Sequence, residues 1–124
     1  MTTKRTISCV CLIFIALAIS TTQATVLRVV VVQTDDVHAY VEEVEQARDI
    51  WDELGSNAVV RVCRARFAGT ETGTVVGSVE WPDLAAFASD DAKLADSEEW
   101  NAWLKKMATK RRIVSDSLYN LLSE

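Results

Sequence analysis

Polar side chains that could bind a ligand lie within strand-like apolar segments of this chain. Arg28 interrupts one such segment, Arg64 lies in a second and Glu80 in a third. A guanidinium holds a carboxylate through a rigid fork of N–H donors. Arg28 or Arg64 could therefore bind a small polar or anionic ligand, with Trp81 and Tyr40 as apolar walls. These five residues are the candidate ligand-binding site.

An ion pair within the sheet is the alternative role for the same charges. A buried charge is costly unless it is paired. Alternation along a strand places Arg64 and Arg66 on one face and Arg61 on the other. An arginine opposite Glu80 could therefore fix the strand register, or the seam between two subunits, without binding any ligand.

The single histidine does not predict a metal or haem site. His38 lies four residues before Glu42 on a helical segment, where a surface imidazole gains modestly from the carboxylate. A general base is the alternative role. Zinc sites normally need more than one imidazole or thiolate donor, and the chain has no second histidine. The sequence therefore predicts neither a metal nor a cofactor.

Residues 1–24 have the three parts of a secretory signal peptide. Lys4 and Arg5 form a positive start, an apolar run covers residues 7–19, and small residues precede a cleavage site after Ala24. The run is shorter than the roughly 20 residues of a membrane-spanning helix. We expect cleavage and export to the periplasm or the exterior, and an uncleaved anchor is the alternative.

Cleavage would change the charge and the cysteine content of the chain. Of 13 basic and 18 acidic residues, only Lys4 and Arg5 precede residue 25, so the processed chain has 11 and 18 and a net charge of −7, against −5 before cleavage. This acidity argues against nucleic acid or an anionic membrane surface as a partner. Cys63 would remain alone. Its apolar surroundings predict a buried, inert thiol, although Arg61 and Arg64 could activate an accessible one.

The processed chain, residues 25–124, predicts one domain with the order βαββαβ. Val, Ile and Thr runs predict the strands, and apolar residues at helical spacing predict the helices. The predicted elements are a strand at 26–33, a helix at 36–54, strands at 58–67 and 73–81, a short helix at 82–88, a polar break at 89–91, a further helix after a capping sequence at 96–99, and a strand at 113–122.

This order predicts an antiparallel sheet with its helices on one face, the split βαβ arrangement. Consecutive valines from Val29 to Val32 place apolar side chains on both faces of the first strand. The face without helices therefore also needs a cover, and a second copy of the chain would supply it. Trp51, Trp100 and Trp103 should pack between helices and sheet, whereas Trp81 should line an opening.

Over residues 27–122 the chain resembles the dimeric α/β-barrel superfamily, particularly its NIPSNAP-like and antibiotic-biosynthesis-monooxygenase-like members. The resemblance implies an α+β, ferredoxin-like fold and a face-to-face homodimer, and it implies no fixed activity. The stretches that carry it are LRVVVV, ARDIWDELG, RVCRARFAG, TGTVVGSVEWPDLAAFA and SEEWNAWLKK.

Two functional hypotheses follow. The first is an exported dimer that binds a small ligand or takes part in an interaction. The second is a cofactor-free monooxygenase- or isomerase-like enzyme acting in the barrel lumen. Such chemistry needs only shape, exclusion of water and one or two polar groups, so no catalytic motif decides between the two.

Overall fold

The computed structural model describes residues 24–123, so the predicted leader lies outside the described residues except for Ala24. No helix in this range is long and apolar enough to cross a membrane. A single 3-10 turn, Gly69–Glu71, connects the second and third strands. The elements are β1 (Val26–Gln33), α1 (Val37–Glu53), β2 (Val59–Arg64), β3 (Val75–Trp81), α2 (Leu84–Ala95), α3 (Glu98–Met107) and β4 (Arg112–Asn120).

The four strands form one antiparallel sheet in the order β2-β3-β1-β4. β1 is central and pairs with β3 from Val26 opposite Trp81 and with β4 from Val26 opposite Asn120. The inner strands are therefore the first of each βαβ half. The predicted βαββαβ order and antiparallel sheet are confirmed.

Helix α1 begins and ends where its flanking residues predict. The Asp36 carboxylate caps it by accepting a hydrogen bond from the Ala39 amide at 3.0 Å. Gly55 follows with a φ of +76°, a conformation that favours glycine. The predicted helix at 36–54 differs from the observed one only by its two cap residues.

The predicted polar break at 89–91 is wrong, because α2 continues through it. Asp90 lies inside the protein, where its Oδ2 accepts hydrogen bonds from Trp81 Nε1 at 2.8 Å and from Ser56 Oγ at 2.5 Å. These hydrogen bonds hold α2 against the end of β3 and against the loop after α1. The helix therefore continues where the sequence predicts a break, because Asp90 has hydrogen-bond partners inside the protein.

The strand ends also differ from the prediction. β2 stops at Arg64 instead of continuing to residue 67, although two further backbone hydrogen bonds join Ala65 to Gly73 and Thr74. The chain then turns through the 3-10 segment, whose Gly69 has a φ of +58°. β3 consequently begins at Val75, and β4 covers Arg112–Asn120 instead of 113–122.

All three helices pack on one face of the sheet, the helix face. Val32 and Val75 contribute to one buried cluster with α1 and α3, and Val26 and Trp81 contribute to another with α1 and α2. Trp51 and Trp103 are buried and Trp100 is partly buried, which confirms their predicted packing. Trp81 is only 2% exposed, so the prediction that it lines an opening is wrong.

The opposite side of the sheet, here called the far face, is not covered by any helix of residues 24–123. Alternation from the helix-facing residues assigns Leu27, Val29 and Val76 to it. Cys63 also lies there, on the edge strand β2, and its side chain is exposed. The prediction of a buried thiol is therefore wrong for the single chain, because neither a helix nor a further strand covers this position.

Candidate functional site

A cavity of about 160 Å³ lies between the helices and the helix face of the sheet. Its floor includes Val30, Val60 and Val79 from the three strands β1, β2 and β3. Its roof comes from the apolar faces of α1 and α3. The roof residues are Tyr40, Val44, Ala47, Trp51, Trp100, Trp103 and Leu104.

Tryptophan rings form much of the cavity wall. Trp100 and Trp103 stack with their ring centroids 4.8 Å apart and their planes 11° from parallel. Trp51 meets Trp100 edge-on at 5.6 Å. Such flat, rigid surfaces favour contact with another planar apolar group.

The cavity opens between α3 and β4. Leu104 on α3 is 38% exposed and Ile113 on β4 is 49% exposed, although both line the cavity. Asp116, also on β4, is exposed at the same side. Because β4 is an edge strand that the helices only partly cover, a small molecule could enter here.

An ion pair lies at this opening. The Arg28 guanidinium donates through Nε to Asp116 Oδ1 at 2.9 Å and through Nη2 to Oδ2 at 2.6 Å. This hydrogen bonding lowers the pKa of Asp116 and raises the pKa of Arg28. The positive charge of Arg28 is therefore balanced by a neighbouring carboxylate.

Arg111 lines the same cavity without such a balance. Its Nη1 donates to the Tyr40 hydroxyl oxygen at 3.1 Å, and its guanidinium carbon lies 5.2 Å from the centroid of the Trp103 ring. Among the carboxylates whose side chains are described, none has an oxygen within 4.0 Å of this guanidinium. The cavity is therefore largely apolar and has an excess of one positive charge.

A buried indole N–H also belongs to a cavity-lining residue. Trp51 is 6% exposed, and its Nε1 has no hydrogen-bond partner within the described chain. An unpaired buried donor carries a desolvation cost that an acceptor would relieve.

Ionic contacts hold α1 and α3 together beside the cavity. The Glu43 carboxylate lies 2.5 Å from Lys106 Nζ and 2.6 Å from Lys110 Nζ, and these ammonium groups lower the pKa of Glu43, Lys106 having the larger effect. Trp103 Nε1 donates to the Glu43 carbonyl oxygen at 2.9 Å. The Trp103 ring is therefore fixed in place.

The structure brings together two of the five residues predicted to form the binding site. Arg28 and Tyr40 line the cavity, whereas Arg64 is exposed on β2 and Trp81 is buried in the core against Asp90. Glu80 lies on the far face, because it is paired in register with Leu27, the neighbour of Arg28. A ligand site shared by Arg28, Arg64 and Glu80 therefore does not form within one chain.

Glu80 instead has the ion-pair geometry that the sequence left open. Arg61 Nη1 donates to Glu80 Oε2 at 2.8 Å across the β2–β3 pair. Both side chains are on the far face, and both are more than a third exposed. The pair is suited to fixing the strand register.

Sequence reasoning missed Arg111 and Asp116 as cavity residues. Arg111 lies in a run of three basic residues after α3, a pattern typical of a solvated helix end. Asp116 lies between two serines in an edge strand. The signal in the sequence that could have identified Asp116 is an acidic residue on the strand that pairs with the strand of Arg28. Whether Asp116 faces Arg28 depends on the β1–β4 register, which shifts next to Val32.

No cluster of three metal-ligating side chains occurs within residues 24–123. His38 is exposed and lies 3.4 Å from Glu42, one helical turn away. This is the surface arrangement that its spacing predicts.

The sheet order and the one-sided helices define the ferredoxin-like fold. No protein-family model matches the chain, and no curated protein is similar to it in sequence. Solved structures do match. A dimeric ferredoxin-like protein from an uncultured marine organism is 18% identical with a TM-score of 0.61, and the match covers 82% of this chain and 99% of that one.

Two further structures show the same fold. An uncharacterised NIPSNAP-like domain protein from Burkholderia xenovorans is 14% identical with a TM-score of 0.61, covering 83% of this chain and 86% of that one. SnoaB, a cofactor-independent oxygenase from Streptomyces nogalater, is 12% identical with a TM-score of 0.57, covering 82% and 96%. At these sequence identities, the similarity shows a shared fold alone.

Proposed function

We propose that this protein binds a small, flat, largely apolar molecule that carries one anionic group. The binding site is the cavity between the helices and the sheet. The observation that carries this proposal is the Arg111 guanidinium, which lies against Tyr40 and Trp103 without a carboxylate partner in the described chain.

The size of the cavity limits the ligand. A volume of about 160 Å³ is close to the roughly 150 Å³ of an engineered apolar cavity that binds benzene. The stacked pair of Trp100 and Trp103 on one wall favours a planar ring. The ligand class is therefore a single aromatic or similarly flat ring.

The charge of the cavity determines the polar end of the ligand. Arg28 is neutralised by Asp116, so an anion gains most from Arg111, whose hydrogen bond to Tyr40 uses only one terminal nitrogen. A guanidinium in apolar surroundings binds a carboxylate strongly, because water competes little there. The Tyr40 hydroxyl, which accepts from Arg111, can donate its own hydrogen to the same anion.

A matched pair of probes tests the proposal. Benzoate and benzamide have the same ring and nearly the same shape, but only benzoate is charged. Calorimetric titration of the purified protein should detect benzoate and show weaker binding of benzamide. Arg111→Gln should remove the preference for benzoate, and Arg61→Gln, which removes an arginine from the far face, should retain it. Equal binding of both probes, or an unchanged preference in Arg111→Gln, would contradict the proposal.

A second candidate is a cofactor-free oxygenase acting on a ligand in this cavity. The observations that favour it are the structural likeness to a cofactor-independent oxygenase and the apolar walls, which would exclude water from a bound ring. The test is oxygen uptake in the presence of a series of hydroquinones and phenols. Uptake that is proportional to protein concentration and lost in Arg111→Gln would support catalysis, and uptake at the rate without protein would contradict it.

We also propose that two copies of the chain associate through their far faces. Tyr119 and Val59 on this face are 53% and 45% exposed, next to the central aliphatic residues of β1 and β3. A dimeric ferredoxin-like protein has a similar structure. Burying such apolar side chains between two sheets is favourable.

Light scattering of a charged variant tests the dimer. Val29→Asp places a charge at the centre of the far face and should give the mass of a single subunit. Leu84→Asp alters an exposed apolar residue on α2 and should leave the dimer intact. A wild-type protein with the mass of one subunit at micromolar concentration would contradict the proposal.

Export remains part of the proposed role. The positive start, apolar run and small residues of positions 1–24 support it. Mass spectrometry of the protein recovered from its native cell should give a chain that begins at Thr25. A chain that still contains residues 1–24 would contradict cleavage.

A further inference from the structure

A second, polar cleft lies at the end of the sheet, outside the ring-sized cavity. It has a volume of about 590 Å³ and lies between the turn that precedes β4 and the end of the β2–β3 connection. Lys110, Arg111 and Arg112 line one side, and Thr72 and Gly73 line the other. Its walls thus come from segments that are distant in sequence.

The basic side chains of this cleft differ in whether a carboxylate of the protein already neutralises their charge. Lys110 Nζ is paired with the Glu43 carboxylate at 2.6 Å. Arg112 donates to the Gln33 side-chain oxygen, a neutral acceptor. Among the carboxylates whose side chains the structure describes, none has an oxygen within 4.0 Å of the Arg112 guanidinium. An anion could therefore bind Arg112 without breaking an ion pair.

The position of these charges is unusual for this protein. The described domain is strongly acidic, yet it has three consecutive basic residues at one cleft, and among the lining side chains that the structure describes Asp35 is the one acidic residue. Asp35 is exposed, so water screens its charge. The local balance is positive where the overall charge is negative.

We propose that this cleft binds a phosphoryl group. Arginine and lysine are the side chains that bind phosphate most often, arginine through two parallel hydrogen bonds and lysine as a point charge. Lys110 shares the single Glu43 carboxylate with Lys106. This ionic group and Arg112 together therefore keep an excess of two positive charges, which suits the dianionic charge of a phosphate ester. The volume of the cleft allows a molecule larger than phosphate itself, such as a phosphorylated metabolite.

Inorganic phosphate is the probe for this site. The purified full chain should bind it in a calorimetric titration at constant ionic strength, with sodium chloride as the compensating salt. Arg112→Gln should weaken binding about tenfold or more, the effect of losing a charge-assisted hydrogen bond. Arg112→Lys should have an intermediate affinity, since it retains the charge but lacks the fork. Arg66→Gln, an exposed arginine outside the cleft, should bind as the wild type does.

Three outcomes would overturn the proposal. The first is a wild-type protein that does not bind phosphate. The second is equal weakening in Arg112→Gln and Arg66→Gln, which would indicate an effect of overall charge. The third is acetate binding as tightly as phosphate, which would exclude the phosphoryl class. Because benzoate binding depends on Arg111 and the internal cavity, its presence or absence is scored separately from this result.

Discussion

Arg28 and Asp116 form a two-point ion pair across neighbouring strands, with both donor–acceptor distances below 3 Å. Arg28 interrupts an otherwise apolar strand, and the pair explains how it can face the helices there. It also neutralises one of the two arginines that line the cavity. The charge left for a ligand is therefore that of Arg111.

Replacing Asp116 by Asn should affect stability and binding in opposite directions. The side chains of the pair are about one third exposed, so the loss of stability should be only about 1 kcal/mol. Affinity for benzoate should increase severalfold, because Arg28 then adds an uncompensated charge at the cavity. Urea unfolding and calorimetry measure the two effects. Weaker benzoate binding in this variant would contradict the assigned charge balance.

Filling the cavity should abolish binding without unfolding the protein. Ala47 is buried in the roof, and Ala47→Leu would occupy part of the space that a ring needs. Filling an apolar cavity commonly stabilises a protein, so the melting temperature should be unchanged or higher. Ala85→Leu, on the exposed side of α2, is the control. Undiminished benzoate binding in Ala47→Leu would place the ligand elsewhere.

The buried Asp90 should contribute more to stability than its exposed neighbour. Asp90→Ala leaves Trp81 Nε1 and Ser56 Oγ without their acceptor, and an unsatisfied buried donor costs about 1–3 kcal/mol. Asp91→Ala removes an acid of the same helix that is exposed. Urea unfolding of both variants tests this difference, and equal stabilities would show that the hydrogen bonds of Asp90 contribute little.

Acid should weaken the contact between α1 and α3. The folded-state pKa of Glu43 is lowered by Lys106 and Lys110, so the folded protein binds fewer protons than the unfolded chain in mild acid. The stabilisation is complete above the unfolded-state pKa of about 4 and is lost as the pH falls through the lower folded-state value. Asp116, whose pKa Arg28 lowers, acts in the same direction.

A glutamine variant isolates the contribution of Glu43 to this pH dependence. Urea unfolding between about pH 6 and pH 3 should show a smaller loss of stability for Glu43→Gln than for the wild type. Glu53→Gln, which alters an exposed acid at the end of the same helix, should behave as the wild type does. Identical pH profiles for all three proteins would contradict the assignment.

The fold could be predicted from the sequence because its elements depend on local patterns. The β1 strand and the α1 helix, with Asp36 and Gly55 at its ends, are visible in residue periodicity. The continuation of α2 through Asp90 is not visible in residue periodicity, because it depends on a hydrogen-bond partner in the interior, Trp81 Nε1. Local pattern cannot show which polar residue finds such a partner.

The candidate site was only partly predictable for a related reason. Arg28 and Tyr40 are predicted from residue type and line the cavity, but strand register places Glu80 on the far face, and Arg64 lies on the edge strand β2 outside the cavity lining. Arg111 lies outside any strand or helix and reaches the cavity through tertiary packing on Trp103. Its role follows from the folded chain and not from spacing.

Binding of a flat anion beside Trp100 and Trp103 would be reported directly by the indole N–H signals of the protein. The chain has four tryptophans. Three of them line the cavity, and the fourth, Trp81, has its N–H bound to Asp90. A benzoate titration followed by nitrogen-15 NMR, with assignments from Trp→Phe variants, should shift the signals of Trp51, Trp100 and Trp103 along one saturable curve and leave that of Trp81 nearly unchanged. No saturable shift, or a shift confined to Trp81, would contradict the account.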